Sequence, residues 1–122
     1  MEHETRQENV VLNKSYRFAV RIMKLGKYLQ QEQHEFVVSK QITRSGTSIG
    51  ANIIEAQQGQ SKADFIHKMS IALKEAKETN YWLRLLYESQ YLSAEAFDSM
   101  ITQCAELERL LVSIVKSARR NT

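Results

Sequence analysis

The run from residue 46 to residue 86 constrains the fold more than any other part of the chain, because it indicates two long helices separated by one break. Gly59 marks the break, since glycine can adopt the left-handed conformation that ends a helix. Ser61 and Asp64 follow with the spacing of a helix cap and its first turn. The 122 residues contain no proline and only four glycines, so little interrupts helices elsewhere. The sequence therefore predicts an all-α protein.

Apolar residues recur at steps of three and four in four segments, which is the spacing of one helical face. Ser93 is placed to cap the last of these helices. The predicted inward positions are Phe18, Ile22, Leu25 and Leu29; Val38, Ile42, Ser45, Ile49, Asn52 and Ala56; Phe65, Met69, Ala72, Ala76, Asn80, Leu83 and Tyr87; and Phe97, Ile101, Cys104, Leu107 or Glu108, Leu111, Val115 and Ala118. Four amphipathic helices with short links predict an antiparallel up-and-down four-helix bundle.

The length of the chain fits one domain with a real core. Residues 1–12 are polar and are expected to form an N-terminal arm that contributes little to the core, with helix one running from Ser15 to about Gln31 and the bundle domain spanning residues 13–122. The arm lacks the apolar run of a secretory signal or membrane anchor. We therefore expect a cytoplasmic protein with no membrane partner.

Helix one carries a cluster of basic residues and no acid from residue 14 to residue 31. This basic stripe is expected to contact the phosphates of a nucleic acid, without base-specific reading because no aromatic platform accompanies it. A solvated face that answers acids on another helix is the alternative. The stripe and the weaker candidates for nucleic-acid binding are Lys14, Arg17, Arg21, Lys24 and Lys27, followed by Arg44, Lys116, Arg119 and Arg120.

Helix three has more apolar residues than one packing face requires, since Trp82, Leu85 and Leu86 lie off the line of Phe65 and Leu83. Large apolar residues outside the main face predict a second packing surface, here an interface between copies of the chain. A wider contact within the protomer's own core is the alternative.

Gly46 and Gly50 lie one turn apart on helix two and permit a close helix approach. That approach could lie within the protomer or between subunits. Asn52 is expected inside the bundle, where its amide would need a partner on a neighbouring helix or a capped backbone.

A catalytic or metal-binding constellation is missing from the sequence. A di-iron bundle needs a pair of Glu-x-x-His motifs, and the nearest match is the single Asp64–His67 spacing. Cys104, the only cysteine, falls on an apolar face and is expected to be buried and inert. The acids Glu55, Glu75 and Glu78 are expected to form salt bridges. We therefore expect no enzyme activity, cofactor, metal or small-molecule substrate, and a metal-dependent bundle enzyme is the least favoured hypothesis.

Three segments, SIGANIIEA at residues 48–56, SKADFIHKMSIALKEAKETNYWLRLL at 61–86 and YLSAEAFD at 91–98, resemble the four-helix-bundle family of 23S rRNA intervening-sequence proteins. Gly50 stands where the family often has proline, and Ala56 replaces a closing glycine. Both positions remain small, although a proline bend in helix two is no longer expected.

The resemblance implies a small bundle that assembles into a homopentamer and associates with RNA or a ribonucleoprotein such as the ribosome. Related bundles act beside reverse transcriptases, and the family has no agreed enzyme activity. Two hypotheses follow. The first is a homo-oligomer that binds structured RNA through the basic stripe, and the second is a protein-binding adaptor or scaffold for a nucleic-acid enzyme such as a reverse transcriptase.

Overall fold

Four helices form an antiparallel up-and-down bundle in the computed structural model, which describes residues 5–121. Each helix packs against its neighbours in sequence, and the first and last helices close the bundle. The predicted all-α class and bundle architecture are therefore confirmed. The helices are α1 (Arg6–Gln31), α2 (Val38–Gln57), α3 (Lys62–Glu88) and α4 (Ala94–Arg120).

Helix α1 begins earlier than the sequence patterns suggested. The hydroxyl of Thr5 caps it by accepting a hydrogen bond from the Glu8 backbone N–H at 3.0 Å. Val11 is fully buried in the core. The polar arm predicted over residues 1–12 is therefore wrong from Arg6 onward, and residues 1–4 lie outside the described part of the chain. The prediction failed because a helix buries only one of its faces, so a mostly polar segment can still be helical and contribute to the core.

The break between α2 and α3 is at the predicted place but has a different geometry at Gly59. Ser61 caps α3 as expected, with its hydroxyl 3.1 Å from the Asp64 backbone nitrogen. Gly59 does not take the left-handed conformation. Glycine suits this position because there is little room for a side chain: a Cβ on residue 59 would lie 3.1 Å from the Ala56 carbonyl oxygen. Ser93 caps α4 as predicted, by accepting from the Ala96 N–H at 3.1 Å.

The small residues of α2 bring it close to α1 within one protomer. A Cβ on Gly46 would lie 2.8 Å from side-chain carbons of Ile22, and one on Gly50 would lie 3.1 Å from the Ser15 hydroxyl oxygen. Gly26 of α1, which the sequence analysis did not single out, would similarly meet Thr43 at 2.5 Å. The close approach therefore lies inside the bundle, as one of the two alternatives proposed.

The core differs from the predicted inward positions most clearly at Asn52 and at Tyr87, which was predicted to face inward but is 37% exposed. Asn52 is only half-buried, and its amide donates to the Ser48 carbonyl oxygen of its own helix at 2.8 Å, so the expected partner on a neighbouring helix is wrong. Ile53 takes the buried position instead. Between α2 and α3 the buried hydroxyl oxygens of Ser45 and Thr79 lie 2.8 Å apart, within hydrogen-bond distance.

Candidate nucleic-acid interface

Two residues of the basic stripe hold α1 against α4. The ammonium of Lys14 lies 3.2 Å from a carboxylate oxygen of Glu106. The guanidinium of Arg21 donates to the Ser99 hydroxyl at 3.0 Å and to the Gln103 side-chain oxygen. Lys14 therefore answers an acid on a neighbouring helix, as the alternative interpretation of the stripe proposed, whereas the partners of Arg21 are uncharged.

The other three stripe residues, Arg17, Lys24 and Lys27, are exposed. None of them makes a hydrogen bond or ion pair with another side chain between residues 5 and 121. Lys27 lies farther round α1 than Arg17 and Lys24, because each residue turns a helix by about 100°. Arg17 and Lys24 therefore provide the uncommitted positive charge beside α4.

A groove of about 440 Å³ lies at the end of the stripe. Helix α1 supplies Arg21, Lys24 and Tyr28 to its lining, and Tyr91 comes from the α3–α4 link. The ring of Tyr28 is 43% exposed, and its hydroxyl accepts a hydrogen bond from the Gln33 side chain at 2.7 Å. Positive charge beside exposed aromatic rings is the usual combination in sites for single-stranded nucleic acid. The structure thus places aromatic residues beside the stripe, where none was expected.

Tyr91 reaches this groove through the geometry of its link. Gln90 takes a positive φ of 69°, and the Tyr91 backbone N–H then donates to the Leu86 carbonyl oxygen at 2.9 Å. Sequence reasoning had no signal for this turn. It did have one for Tyr28, which follows Lys24 by one helical turn.

Arg44 is paired with two carboxylates of α3. Its guanidinium lies 3.1 Å from a carboxylate oxygen of Glu75 and also donates to Glu78. Hydrogen bonds from Trp82 and Arg44 lower the pKa of Glu78, and bonds to Glu78 and Glu75 raise the pKa of Arg44. A nucleic-acid contact at Arg44 would have to compete with these carboxylates, and it stays a prediction. The predicted salt bridges of Glu75 and Glu78 are confirmed, as is that of Glu55, whose partner is Lys68 at 2.8 Å.

The basic carboxyl end contributes to a second surface rich in cations, which also contains Glu108. Lys116 and Arg120 line a groove of about 390 Å³ between α3 and α4, and Arg119 is exposed in the last turn of α4. Lys77 and Arg109 line the same groove, although the sequence analysis did not include them. They were missed because Lys77 and Arg109 are brought together by the packing of α3 on α4.

The residues predicted to join copies of the chain have different environments. Leu86 is 1% exposed in the protomer's own core, so its assignment to a subunit interface is wrong. Trp82 is half-buried, and its indole N–H donates to Glu78 at 3.0 Å. Leu85 is 36% exposed, next to the exposed ring of Tyr81. A second exposed apolar strip, which sequence reasoning missed, consists of Tyr16, Val20 and Met23 on α1.

Cys104 lies in the core and has the environment of an unreactive thiol. Its Sγ donates to the Ala76 carbonyl oxygen at 3.2 Å, and burial raises its pKa to about 12. The predicted burial is thus confirmed. Between residues 5 and 121, no three His, Cys, Asp or Glu side chains are placed to hold a metal ion. No helix in that range is long and apolar enough to span a bilayer.

Comparisons with known proteins agree with the fold. The family model described as 23S rRNA-intervening sequence protein matches residues 7–113. The crystal structure of a protein of unknown function from the S23 ribosomal protein family of Bacteroides thetaiotaomicron VPI-5482 is similar, with a TM-score of 0.89 and 58% sequence identity. The match covers 90% of this chain and 98% of that one. A search of curated proteins gave no significant match. With a family model that spans most of its length, the chain belongs to the 23S rRNA-intervening sequence protein family.

Proposed function

We propose that this protein is a non-enzymatic, cytoplasmic homo-oligomer, a pentamer by its family resemblance, that binds structured RNA through the basic stripe of α1. The observation that carries the proposal is the exposure of Arg17 and Lys24 without partners in the described chain, beside the groove that contains Tyr28 and Tyr91. The family name, which refers to 23S rRNA, supports RNA as the ligand.

The proposed mode of binding follows from the fact that some cations of the basic stripe are bonded to α4 and others are not. Lys14 and Arg21 are tied to α4 and keep the flank rigid, whereas Arg17 and Lys24 are free to contact phosphates. An unpaired base from a loop or bulge would stack in the groove on Tyr28, since stacking accepts any base and needs no specific hydrogen bonds. In an oligomer the same surface would be repeated, so weak contacts would combine into useful affinity.

The first experiment measures binding of a fluorescent RNA hairpin with a single-stranded loop as a function of salt. Reversing two charges in Arg17→Glu with Lys24→Glu should weaken binding and reduce the magnitude of the salt slope by about two, one for each lost phosphate contact. The matched control is Lys40→Glu with Lys74→Glu, which makes the same change in net charge at exposed positions on α2 and α3. Equal loss in both double variants, or a flat salt response of the wild type, would refute the proposed interface.

The second experiment tests the aromatic groove. Tyr28→Leu should weaken binding of the looped hairpin by about fivefold or more, because one base–aromatic stack contributes about 1–3 kcal/mol. Tyr16→Leu is the control, since Tyr16 is exposed on another face of the same helix. A fully paired RNA should bind both variants equally. If Tyr28→Leu binds the looped RNA as tightly as wild type does, the groove has no part in recognition.

A protein-binding adaptor is the second candidate function, and one observation favours it. The exposed side chains of Tyr16, Val20 and Met23 give α1 an apolar surface of the kind that binds proteins, separate from the Leu85 surface predicted to join copies of the chain. Affinity capture from nuclease-treated cells separates the two functions. Partners that persist after nuclease treatment favour the adaptor, and partners lost with the nucleic acid favour RNA binding.

A further inference from the structure

A separate cavity of about 450 Å³ lies where the first turns of α1 and α3 meet the last turn of α4. Its apolar lining includes Phe65, Ile114 and Ala118. Lys62 and Asn121, also in the lining, are exposed. The cavity has the size of an ordinary small-molecule pocket. It is also distinct from the groove proposed to bind RNA.

The carboxylate of Glu8 lines this cavity and is almost completely withdrawn from solvent. Glu8 is only 4% exposed, and its Oε1 has no hydrogen-bond partner within residues 5–121. The Thr5 hydroxyl caps the Glu8 backbone N–H, which is one half of a capping box, but no reciprocal hydrogen bond reaches Oε1. A carboxylate withdrawn from water without a donor is costly, so a donor that enters the cavity and reaches Glu8 would be bound favourably.

No cation within residues 5–121 supplies that donor to Oε1 in this structure. The ammonium of Lys62, which also lines the cavity, donates instead to the Asn121 carbonyl oxygen. A divalent metal ion would need several oxygen ligands, and no group of three acidic, histidine or cysteine side chains is found in the described chain. One carboxylate, with apolar side chains nearby and no second acid among the described lining residues, better suits a monovalent organic cation.

We propose that this cavity binds a small organic cation, in which an ammonium or guanidinium group donates to Glu8 and a short apolar stem packs against Phe65, Ile114 and Ala118. The charged hydrogen bond to Glu8 would orient the ligand, because charge-assisted hydrogen bonds are stronger than those between neutral groups. Burial of the stem would add affinity in proportion to its apolar area. A carboxylate ligand of the same length would be repelled by Glu8.

The test is a titration of the full-length protein with n-butylammonium, followed by the backbone amide shifts of the residues that line the cavity. Saturable shifts confined to these residues are expected for n-butylammonium. The uncharged n-butanol and the anionic n-butyrate should bind at least about tenfold more weakly, because they lack the charged hydrogen bond. Glu8→Gln should weaken n-butylammonium binding by a similar factor, with little effect on n-butanol.

A second variant keeps the proposal testable if Glu8→Gln does not fold. Ala118→Phe would fill the cavity but leave the carboxylate in place, so it should abolish the saturable shifts. The proposal is overturned if n-butylammonium and n-butylguanidinium give no saturable shifts with the wild type. It is also overturned if folded Glu8→Gln or Ala118→Phe binds n-butylammonium as tightly as wild type does.

Discussion

Ile22 on α1 occupies the space that a side chain on Gly46 of α2 would need, since a Cβ at Gly46 would lie 2.8 Å from two carbons of Ile22. The two helices therefore approach each other at a distance that only glycine permits at this position. Because Gly46 has no side chain, Ile22 can pack directly against the backbone of α2. This relationship leads directly to a stability prediction.

Gly46→Val should destabilise the bundle by about 1–3 kcal/mol, because the added carbons would force Ile22 or the backbone to move. Urea unfolding monitored by circular dichroism measures the change. Ala51→Val is the matched control, since Ala51 is exposed on the same helix and should lose no more than about 0.7 kcal/mol from helix propensity. Equal losses in both variants would show that the close approach is not tightly packed.

Arg44→Met should lower stability by about 1 kcal/mol at pH 7, a modest figure because the Arg44 side chain is 49% exposed and solvent screens its pairs. The pKa of Glu78 is lowered in the folded protein, so its contribution is complete above the unfolded glutamate pKa of about 4.3 and is lost as the pH falls through the folded value. The difference between variant and wild type should therefore shrink at pH 3.

Thermal unfolding at the two pH values checks this prediction, and Lys40→Met is the control because Lys40 is an exposed cation on the same helix. Trp82 provides a second readout, since its indole N–H is bonded to Glu78. Loss of Arg44 should change the tryptophan fluorescence, whereas loss of Lys40 should not. A stability difference that stays constant from pH 7 to pH 3 would contradict the role of the carboxylates.

Cys104 should resist thiol reagents in the folded protein. At pH 8 a thiol with a pKa of about 12 carries roughly three orders of magnitude less thiolate than an ordinary cysteine, and burial excludes the reagent as well. The reaction with Ellman's reagent should therefore be slow in buffer and fast in guanidinium chloride. Cys104→Ala with Ser113→Cys provides an exposed thiol as the positive control. Rapid labelling of native wild type would show that the core opens readily at this position.

Leu85→Glu should dissociate the proposed oligomer, because it would place a charge in the apolar surface that Leu85 forms beside Tyr81. Light scattering gives the mass of the assembly, and circular dichroism should show an intact protomer, since Leu85 lies outside the core. Met23→Glu makes the same change in the apolar strip of α1. Dissociation by Met23→Glu alone would move the interface to α1, and a wild-type monomer would reject the oligomer itself.

The bundle itself was predictable because periodic apolar residues and capping side chains are local signals. Ser61 and Ser93 cap the helices as predicted. The exact width of each buried face was less predictable. Ile53 is buried and Asn52 is only half-buried, because a one-residue step turns a helix by about 100°. The contacts of the neighbouring helices decide which of the two positions is covered.

The candidate site was only partly predictable, because the sequence gives the charge of a residue but does not say whether another side chain is already bonded to it. The sequence reveals that Arg44 and Arg17 are cations, but only the packing of α2 against α3 brings Glu75 to Arg44. Tyr91 joins Lys24 through a turn whose geometry depends on the positive φ of Gln90. Contacts between distant segments determined both outcomes, and local patterns carry little information about them.

The buried pair formed by Ser45 and Thr79 has a consequence for the alignment of α2 and α3. Aliphatic side chains are chemically interchangeable, so a purely hydrocarbon seam could slip by a turn with little loss. A shift by one turn would separate the two hydroxyls, although Thr79 would keep its hydrogen bond to the Glu75 carbonyl oxygen of its own helix. The pair therefore favours one relative height of the two helices, and in that alignment Arg44, next to Ser45, lies level with its two carboxylates.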